Sequence, residues 1–170
     1  MAKKKINYLI PGAIALVLGI AAFCMMFLPA VIYTADFGLA ETSYSYTGMQ
    51  ITFGYSETIG SGALSATATI LSFNFLGLLA FGLPLIGGIL ALIFKNGLIG
   101  KIVTTACFVV GAVLIFSIVG YATVGMSDAQ KTIVENLNAA MGAGAIAGGI
   151  IAIVGAVVCF FKGTIAKMFK

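Results

Sequence analysis

Few side chains in this sequence could carry out chemistry. There is no His, and the carboxylates are spaced so irregularly that they could form at most a loose cation site. They are Asp36, Glu41, Glu57, Asp128 and Glu135. Without His, the most common general base and metal ligand is missing. The three cysteines, Cys24, Cys107 and Cys159, lie far apart and form no CxxC motif, so we expect buried apolar thiols.

The long neutral stretches contain no ionisable side chain of the kind that catalysis or ion coupling inside a membrane uses. The sequence therefore predicts a protein that is not an enzyme and that binds no cofactor. An enzyme acting on lipid headgroups through the outer carboxylates is the one catalytic alternative that the residues leave open.

The composition is that of a membrane protein. Hydrophobic residues make up 61% of the 170 residues and charged residues 8%, against about 25% charged residues in a soluble domain. A spanning helix needs about 20 apolar residues. The windows that meet this requirement are 6–28, 70–94, 98–120 and 139–161. We therefore predict one membrane domain over 1–170, a four-helix bundle with outer segments 29–69 and 121–138, an inner loop 95–97 and a tail 162–170.

Lysine positions predict the orientation. The outer segments contain all five carboxylates and Lys131, whereas every other lysine flanks the opposite face of the bundle: Lys3, Lys4, Lys5, Lys95, Lys101, Lys162, Lys167 and Lys170. Short lysine-rich loops stay cytoplasmic. We expect a multi-pass protein of the cell membrane with both termini cytoplasmic, a first helix that is retained rather than cleaved, and no binding of nucleic acid.

The first outer segment predicts a small antiparallel β layer. Residues 31–34 are typical of a strand. The apolar alternation then changes phase at Thr47-Gly48, which predicts a turn or a bulge there. The aromatic and apolar residues of this segment are the candidate interaction residues: Tyr44, Tyr46, Ile51, Phe53 and Tyr55.

The second outer segment contains Ser127 followed three residues later by Gln130, which is a capping-box pattern. It predicts that the fourth helix begins near Asp128, outside the bilayer. Residues 122–126, before the cap, could add an edge strand.

Two features of the spans concern helix packing. Small residues recur every four positions in the fourth window and predict a packing ridge, facing either the chain's own bundle or a second copy: Ala140, Gly144, Gly148, Ala152 and Ala156. Pro84 lies midway along the second window and predicts a kink. Asn74 is the most polar side chain of that window.

The layout resembles that of the claudin and peripheral-myelin-protein group of tetraspan proteins, with inside termini, a strand-bearing first outer segment and a shorter second one. In this sequence Gly38-Leu39 is followed by Ala40, where the claudin motif has Trp, and the segment has no Cys. We carry over no functional residue. Two further features resemble those of small four-span proteins of AT-rich Gram-positive bacteria. They are the use of Lys in place of Arg and stretches such as 46–48, 52–54 and 72–76.

These features together predict a non-catalytic integral membrane protein that is a structural, interacting or self-assembling component through its extracellular β-bearing loop. Its expected partners are the lipid bilayer and either further copies of itself, as a homo-oligomer, or a larger membrane complex. The alternative is a small channel or transporter subunit, which would use Pro84, Gly87-Gly88 and Asn74.

Overall fold

The structure is a computed structural model that describes residues 2–36, 41–59, 65–94 and 97–168. Its helices are α1 (Ala2–Cys24), α2 (Gly48–Phe53), α3 (Phe75–Ile93), α4 (Leu98–Phe116), α5 (Ile118–Tyr121), α6 (Asp128–Val134), α7 (Ala143–Phe160) and α8 (Lys162–Met168). Its strands are β1 (Pro29–Asp36), β2 (Glu41–Thr47), β3 (Tyr55–Ile59), β4 (Ala66–Leu71) and β5 (Asn138–Met141).

Within these ranges, four helices are long and apolar enough to cross a membrane: α1, α3, α4 and α7. Helices α3, α4 and α7 lie within the predicted windows, and α1 begins four residues before its window, although its apolar span, Leu9–Phe27, lies inside it. Consecutive spans pack side by side, and α7 closes the ring against α1. The fold is compatible with a multi-pass helical membrane protein that carries a small antiparallel sheet.

The contact between α1 and α3 is a close approach of two backbones. A Cβ atom at Gly19 would lie 2.5 Å from the carbonyl oxygen of Pro84, and one at Gly12 would lie 2.8 Å from that of Ala91. From the other side, a Cβ at Gly88 would lie 2.9 Å from a carbonyl oxygen of α1. Only residues without a Cβ permit this separation, which brings many atoms of the two helices within dispersion distance.

Pro84 is a packing residue in the middle of the bundle. Helix α3 is continuous through it, and a Cβ at Gly111 of α4 would lie 2.5 Å from the Cδ atom of its ring. Pro84 therefore contacts α1 through its carbonyl oxygen and α4 through its ring. The kink that the sequence predicts here stays a prediction.

Small residues of α7 face the chain's own bundle. Gly144 lies against the end of α1, where an added Cβ would be 2.7 Å from the Met25 carbonyl oxygen, and Gly148 lies against the Met25 side chain. Ala152 and Ala156 are buried in an apolar cluster with residues of α1, α3 and α4. In this fold, these four positions of the predicted ridge are used within one chain.

Ala140 requires a correction, because it belongs to strand β5 and not to a helix. The prediction of one continuous helix from near Asp128 is wrong: α6 ends at Val134, and α7 begins only at Ala143. Of the intervening residues, Asn138–Met141 pair with β1, whose second edge satisfies their backbone groups. Asn136 and Asn138 are weak helix formers, so the helix is easily interrupted there.

The strands form two antiparallel sheets at one end of the bundle, which we call the β layer. The order in the larger sheet is β2-β1-β5, whereas β3 and β4 form a separate hairpin. Strand β1 follows α1 after one short turn, and β5 is separated from α7 by Gly142 alone. The Gly142 amide donates to the Ala30 carbonyl at 2.9 Å. The predicted strand over 31–34 is confirmed as part of β1.

Two further boundaries differ from the sequence predictions. The second span begins at Phe75 and not near residue 70, because β4 extends to Leu71 and the Asn74 side chain caps α3 by accepting from the Leu76 amide at 3.0 Å. The predicted edge strand over 122–126 is wrong, since Ala122–Gly125 is a 3-10 helix. Met126 alone makes an isolated bridge to Leu71.

The opposite end of the bundle, which we call the lysine end, contains a buried cation. Lys162, at the start of α8, donates from Nζ to the carbonyl oxygen of Phe94 at 2.7 Å and to that of Ala91. These carbonyls belong to the C-terminal turn of α3, which has no amide partners of its own and carries the negative end of the helix dipole. Lys162 therefore caps α3 from another element.

The backbone contact predicts opposite effects for one substitution at two glycines. Gly19→Ala should lower the free energy of unfolding by about 1–3 kcal/mol, because its Cβ forces α1 and α3 apart. Gly82→Ala, on α3 with no atom within 4 Å of its Cβ, should be neutral or raise it by about 0.5–1 kcal/mol. Unfolding of both variants in bicelles measures this difference. Equal effects would contradict the close approach.

Candidate interaction surface

A cleft of about 230 Å³ opens in the β layer between strand β2 and the hairpin β3–β4. One wall is the run of residues 43–46 of β2, and the other is made by Tyr55, Glu57 and Ile70. Gln50 of α2 completes the lining. The cleft thus combines tyrosine rings with hydroxyl, amide and carboxylate groups. Such a lining can both stack on a partner and form hydrogen bonds with it.

Strand β2 borders this cleft with an unpaired edge. It is an outer strand of the order β2-β1-β5, and within the described residues its only strand partner is β1. Four consecutive residues of β2 line the cleft, so residues from both faces of the strand contribute to it. Exposed edges of this kind present free amide and carbonyl groups to an added strand.

Helix α2 contributes Gln50 to the cleft, and a capping box defines where this helix begins. The Thr47 hydroxyl accepts from the Gln50 amide at 3.2 Å, and the Gln50 side chain accepts from the Thr47 amide at 2.9 Å. The predicted turn or bulge at Thr47-Gly48 is therefore wrong. The helix turns Ile51 and Thr52 into the fold and leaves Phe53 on the outside.

Tyr46 is held between the two outer segments. Its side chain is only 6% exposed, and its hydroxyl accepts from Gln130 Nε2 at 2.9 Å. Burial raises the pKa of Tyr46, and the Gln130 hydrogen bond opposes part of that rise. At the capping-box pattern of residues 127–130, only Ser127 caps the helix, since the Gln130 side chain is bound to Tyr46.

Tyr33 lies behind Tyr46 in the core. The two rings meet edge to face with centroids 6.1 Å apart. The Tyr33 hydroxyl is buried and has no hydrogen-bond partner among the described residues. Burial, and then the neighbouring Tyr46, raise its pKa.

The structure brings three of the five predicted interaction residues together at the cleft: Tyr44, Tyr46 and Tyr55. Of these, Tyr44 is the most accessible at 47% exposed, and Tyr55 is half-buried. Ile51 is 1% exposed and belongs to the core, so a partner cannot touch it in this fold. Phe53 is exposed but does not line the cleft.

Sequence reasoning missed several lining residues. Ser43, Ser45 and Glu57 alternate with the tyrosines or follow them, and this polar alternation was the available signal. Gln130 lies 84 positions from Tyr46, and no pattern in the sequence indicates their contact.

The groups that could have carried chemistry are dispersed. Among the residues that the structure describes, no cluster of three or more His, Cys, Asp or Glu could hold a metal ion. Cys24 is exposed, Cys107 is half-buried and Cys159 is buried, each on a different helix. Lys131 and Asp128 form an ion pair of 3.7 Å on the surface of α6. The predicted sites at Asp36 and Glu41 concern side chains outside the described part of the chain.

The geometry defines only a broad class of protein. This class is a bundle of four membrane-length helices with a cleft-bearing β layer at one end. Comparison with protein-family models, with curated proteins and with solved structures finds no match. The resemblance to claudin-like tetraspan proteins therefore stays a prediction from layout.

The two core tyrosines predict opposite results for the same substitution. Tyr46→Phe should lower the free energy of unfolding by about 1 kcal/mol, since it leaves the Gln130 amide without its acceptor. Tyr33→Phe should leave it unchanged or raise it, because it removes a buried hydroxyl that has no partner. Chemical unfolding of both variants at pH 7 measures the pair. A loss for Tyr33→Phe as large as that for Tyr46→Phe would contradict this account.

Alkaline pH should destabilise the β layer. The pKa values of Tyr33 and Tyr46 lie above the ordinary value of 10.0 in the folded chain. The stability that their neutral hydroxyls contribute is complete below pH 10.0 and is lost as pH rises through the higher folded values. Thermal unfolding between about pH 9 and pH 12 should show this fall, with a smaller fall in Tyr33→Phe.

Proposed function

We propose that the chain is a non-catalytic integral membrane protein that associates with a protein partner through its β layer. The single observation that carries the proposal is the cleft beside the unpaired edge of β2, lined by Tyr44 and its neighbours. The partner that we favour is a second copy of this chain, which would make the protein a homo-oligomeric structural component. A larger membrane complex is the other partner class.

Lysine distribution supports the orientation that we propose. Every side-chain carboxylate belongs to the β layer or its connecting segments, and in the sequence eight of the nine lysines flank the opposite ends of the predicted spans. By the positive-inside rule, the lysine end is cytoplasmic and the β layer is extracellular in the cell membrane. The cleft would then be open to neighbouring proteins at the outer surface.

The chemistry of the cleft favours association over catalysis. Its one carboxylate, Glu57, belongs to an exposed strand, and the lining residues include no His, Lys or Cys that could activate the serine or tyrosine hydroxyls beside it. Tyrosine and serine are typical of recognition surfaces, because tyrosine supplies contact area at low entropic cost and serine supplies adaptable hydrogen bonds. The same groups suit the edge of an extended segment.

Packing of the spans gives the alternative, a channel or transporter subunit, less support. Phe81 and Phe108 are fully buried between the helices, and α1 and α3 meet at backbone distance. Asn74 is used as a helix cap, and its Nδ2 also donates to the Tyr121 carbonyl at 3.1 Å. A path through a single chain would have to displace these contacts.

The association test uses Tyr44→Asp, because this side chain is accessible and can be changed without disturbing the core. Native mass spectrometry of protein gently extracted from its own cells should give a multiple of the 17.5 kDa chain for the wild type. Tyr44→Asp should reduce that multiple to the monomer, since a carboxylate would be desolvated in the contact. Insertion and helix content should remain unchanged.

Tyr44→Phe is the matched control and should keep the wild-type mass. A stable complex with a different protein would make the chain an accessory subunit. A wild-type monomer in membranes as well as in detergent would contradict the proposal, and flux through liposomes would then decide the alternative.

A further inference from the structure

A second concave surface lies on the bundle itself, between α4 and α7. One part, of about 390 Å³, exposes only apolar atoms, among them those of Val109, Phe116, Val157 and Phe160. An adjoining part of about 480 Å³ continues towards the lysine end along Leu98, Lys101 and Ile102. Thr105, Val109 and Phe160 line both parts, so we treat the two as one groove and call it the α4–α7 groove.

The groove has a charged end. Lys101 lines it at the start of α4, and Lys162 is close enough that the positive charge of Lys101 adds to burial in lowering the pKa of Lys162. The Lys162 ammonium is occupied by carbonyls of α3, so it brings charge but no free donor. All Asp and Glu side chains belong to the β layer or its connections, at the other end. The two cations therefore share an end that has no carboxylate side chain.

The surface of the groove becomes apolar about one turn further along α4. The Thr105 hydroxyl is buried and has no hydrogen-bond partner among the described residues, in contrast to the neighbouring Thr104, which donates to the Gly100 carbonyl at 2.8 Å. Thr105 is four residues from Lys101, or about 6 Å along the helix. A charge followed by an apolar channel is also the order of groups along an anionic phospholipid, from its phosphate to its acyl chain.

We propose that the α4–α7 groove binds an anionic phospholipid. The phosphate lies at Lys101, and one acyl chain lies along Val109 towards Phe116. Basic pockets between spans select anionic headgroups in this way. The groove volume lies in the range of small-molecule sites, about 300–1,000 Å³. The groove shares no lining residue with the cleft, and its charged end is at the opposite end of the bundle, so the inference does not depend on the proposed association.

The test uses full-length protein purified in a neutral detergent, with phosphatidylglycerol and phosphatidylcholine of identical acyl chains as probes. Native mass spectrometry should show phosphatidylglycerol bound at least about fivefold more tightly. Lys101→Gln should remove most of that preference. Lys167→Gln removes the same charge from the exposed face of α8, away from the groove, and should keep the preference.

A second pair of variants tests the acyl-chain channel. Val109→Trp fills the groove, whereas Val110→Trp adds the same bulk to an exposed neighbour that does not line it. Val109→Trp should abolish retention of both lipids, and Val110→Trp should leave it unchanged. Thermal unfolding in detergent without lipid separates a loss of binding from a loss of folding.

Three results would overturn the inference. Equal affinity of the wild type for the two lipids would contradict the proposed phosphate site at Lys101. An equal loss of the phosphatidylglycerol preference in Lys101→Gln and Lys167→Gln would indicate that general surface charge produces the preference, and not a localised headgroup site. A change of oligomeric mass in Val109→Trp, independent of lipid, would show that a second copy of the chain covers the groove.

Discussion

The backbone contact between α1 and α3 determines much of this structure. In lipid, burial of apolar surface does not favour one helix against another, so close packing has to supply the stabilisation. Gly19 and Gly88 provide it where the two helices cross at carbonyl distance. Gly144 brings the start of α7 to the end of α1 in the same way. Because these ends are fixed beside each other, β1 and β5 emerge as neighbours and pair, and the cleft-bearing layer is built outward from that pair.

Side-chain caps then connect the layer to the bundle. Asn74 caps α3 and donates to the Tyr121 carbonyl, which joins the second span to the segment that follows the third. Lys162 caps the other end of α3. Helix ends leave backbone groups unpaired, and near a membrane such groups are costly. Their partners come here from distant parts of the chain, so the caps are also the long-range contacts that define the tertiary structure.

The sequence was sufficient for the four spans, because a neutral stretch of about 20 apolar residues is long enough to cross a bilayer and too apolar for the surface of a soluble domain. It was insufficient where two short-range signals conflicted. Residues 49–55 alternate as a strand would, yet a capping box at Thr47 and Gln50 starts a helix, and six residues are too few for periodicity to decide. The three tyrosines that line the cleft were predicted as interaction residues. The Gln130 contact to Tyr46 and the groove beside Lys101 were not, since both bring together residues that only the tertiary fold makes neighbours.

The pairing of β1 with β5 has a mechanical consequence. Each strand is joined to its span with almost no intervening chain, so a rotation or a slide of α1 against α7 is transmitted directly to the strand register. A strand pair cannot follow continuously, because a shift of one residue turns every side chain to the other face. A movement of α1 against α7 that changes this register must shift it by two residues to keep the same side chains on the same faces. The β1–β5 pair therefore favours one relative position of the first and last spans of the chain.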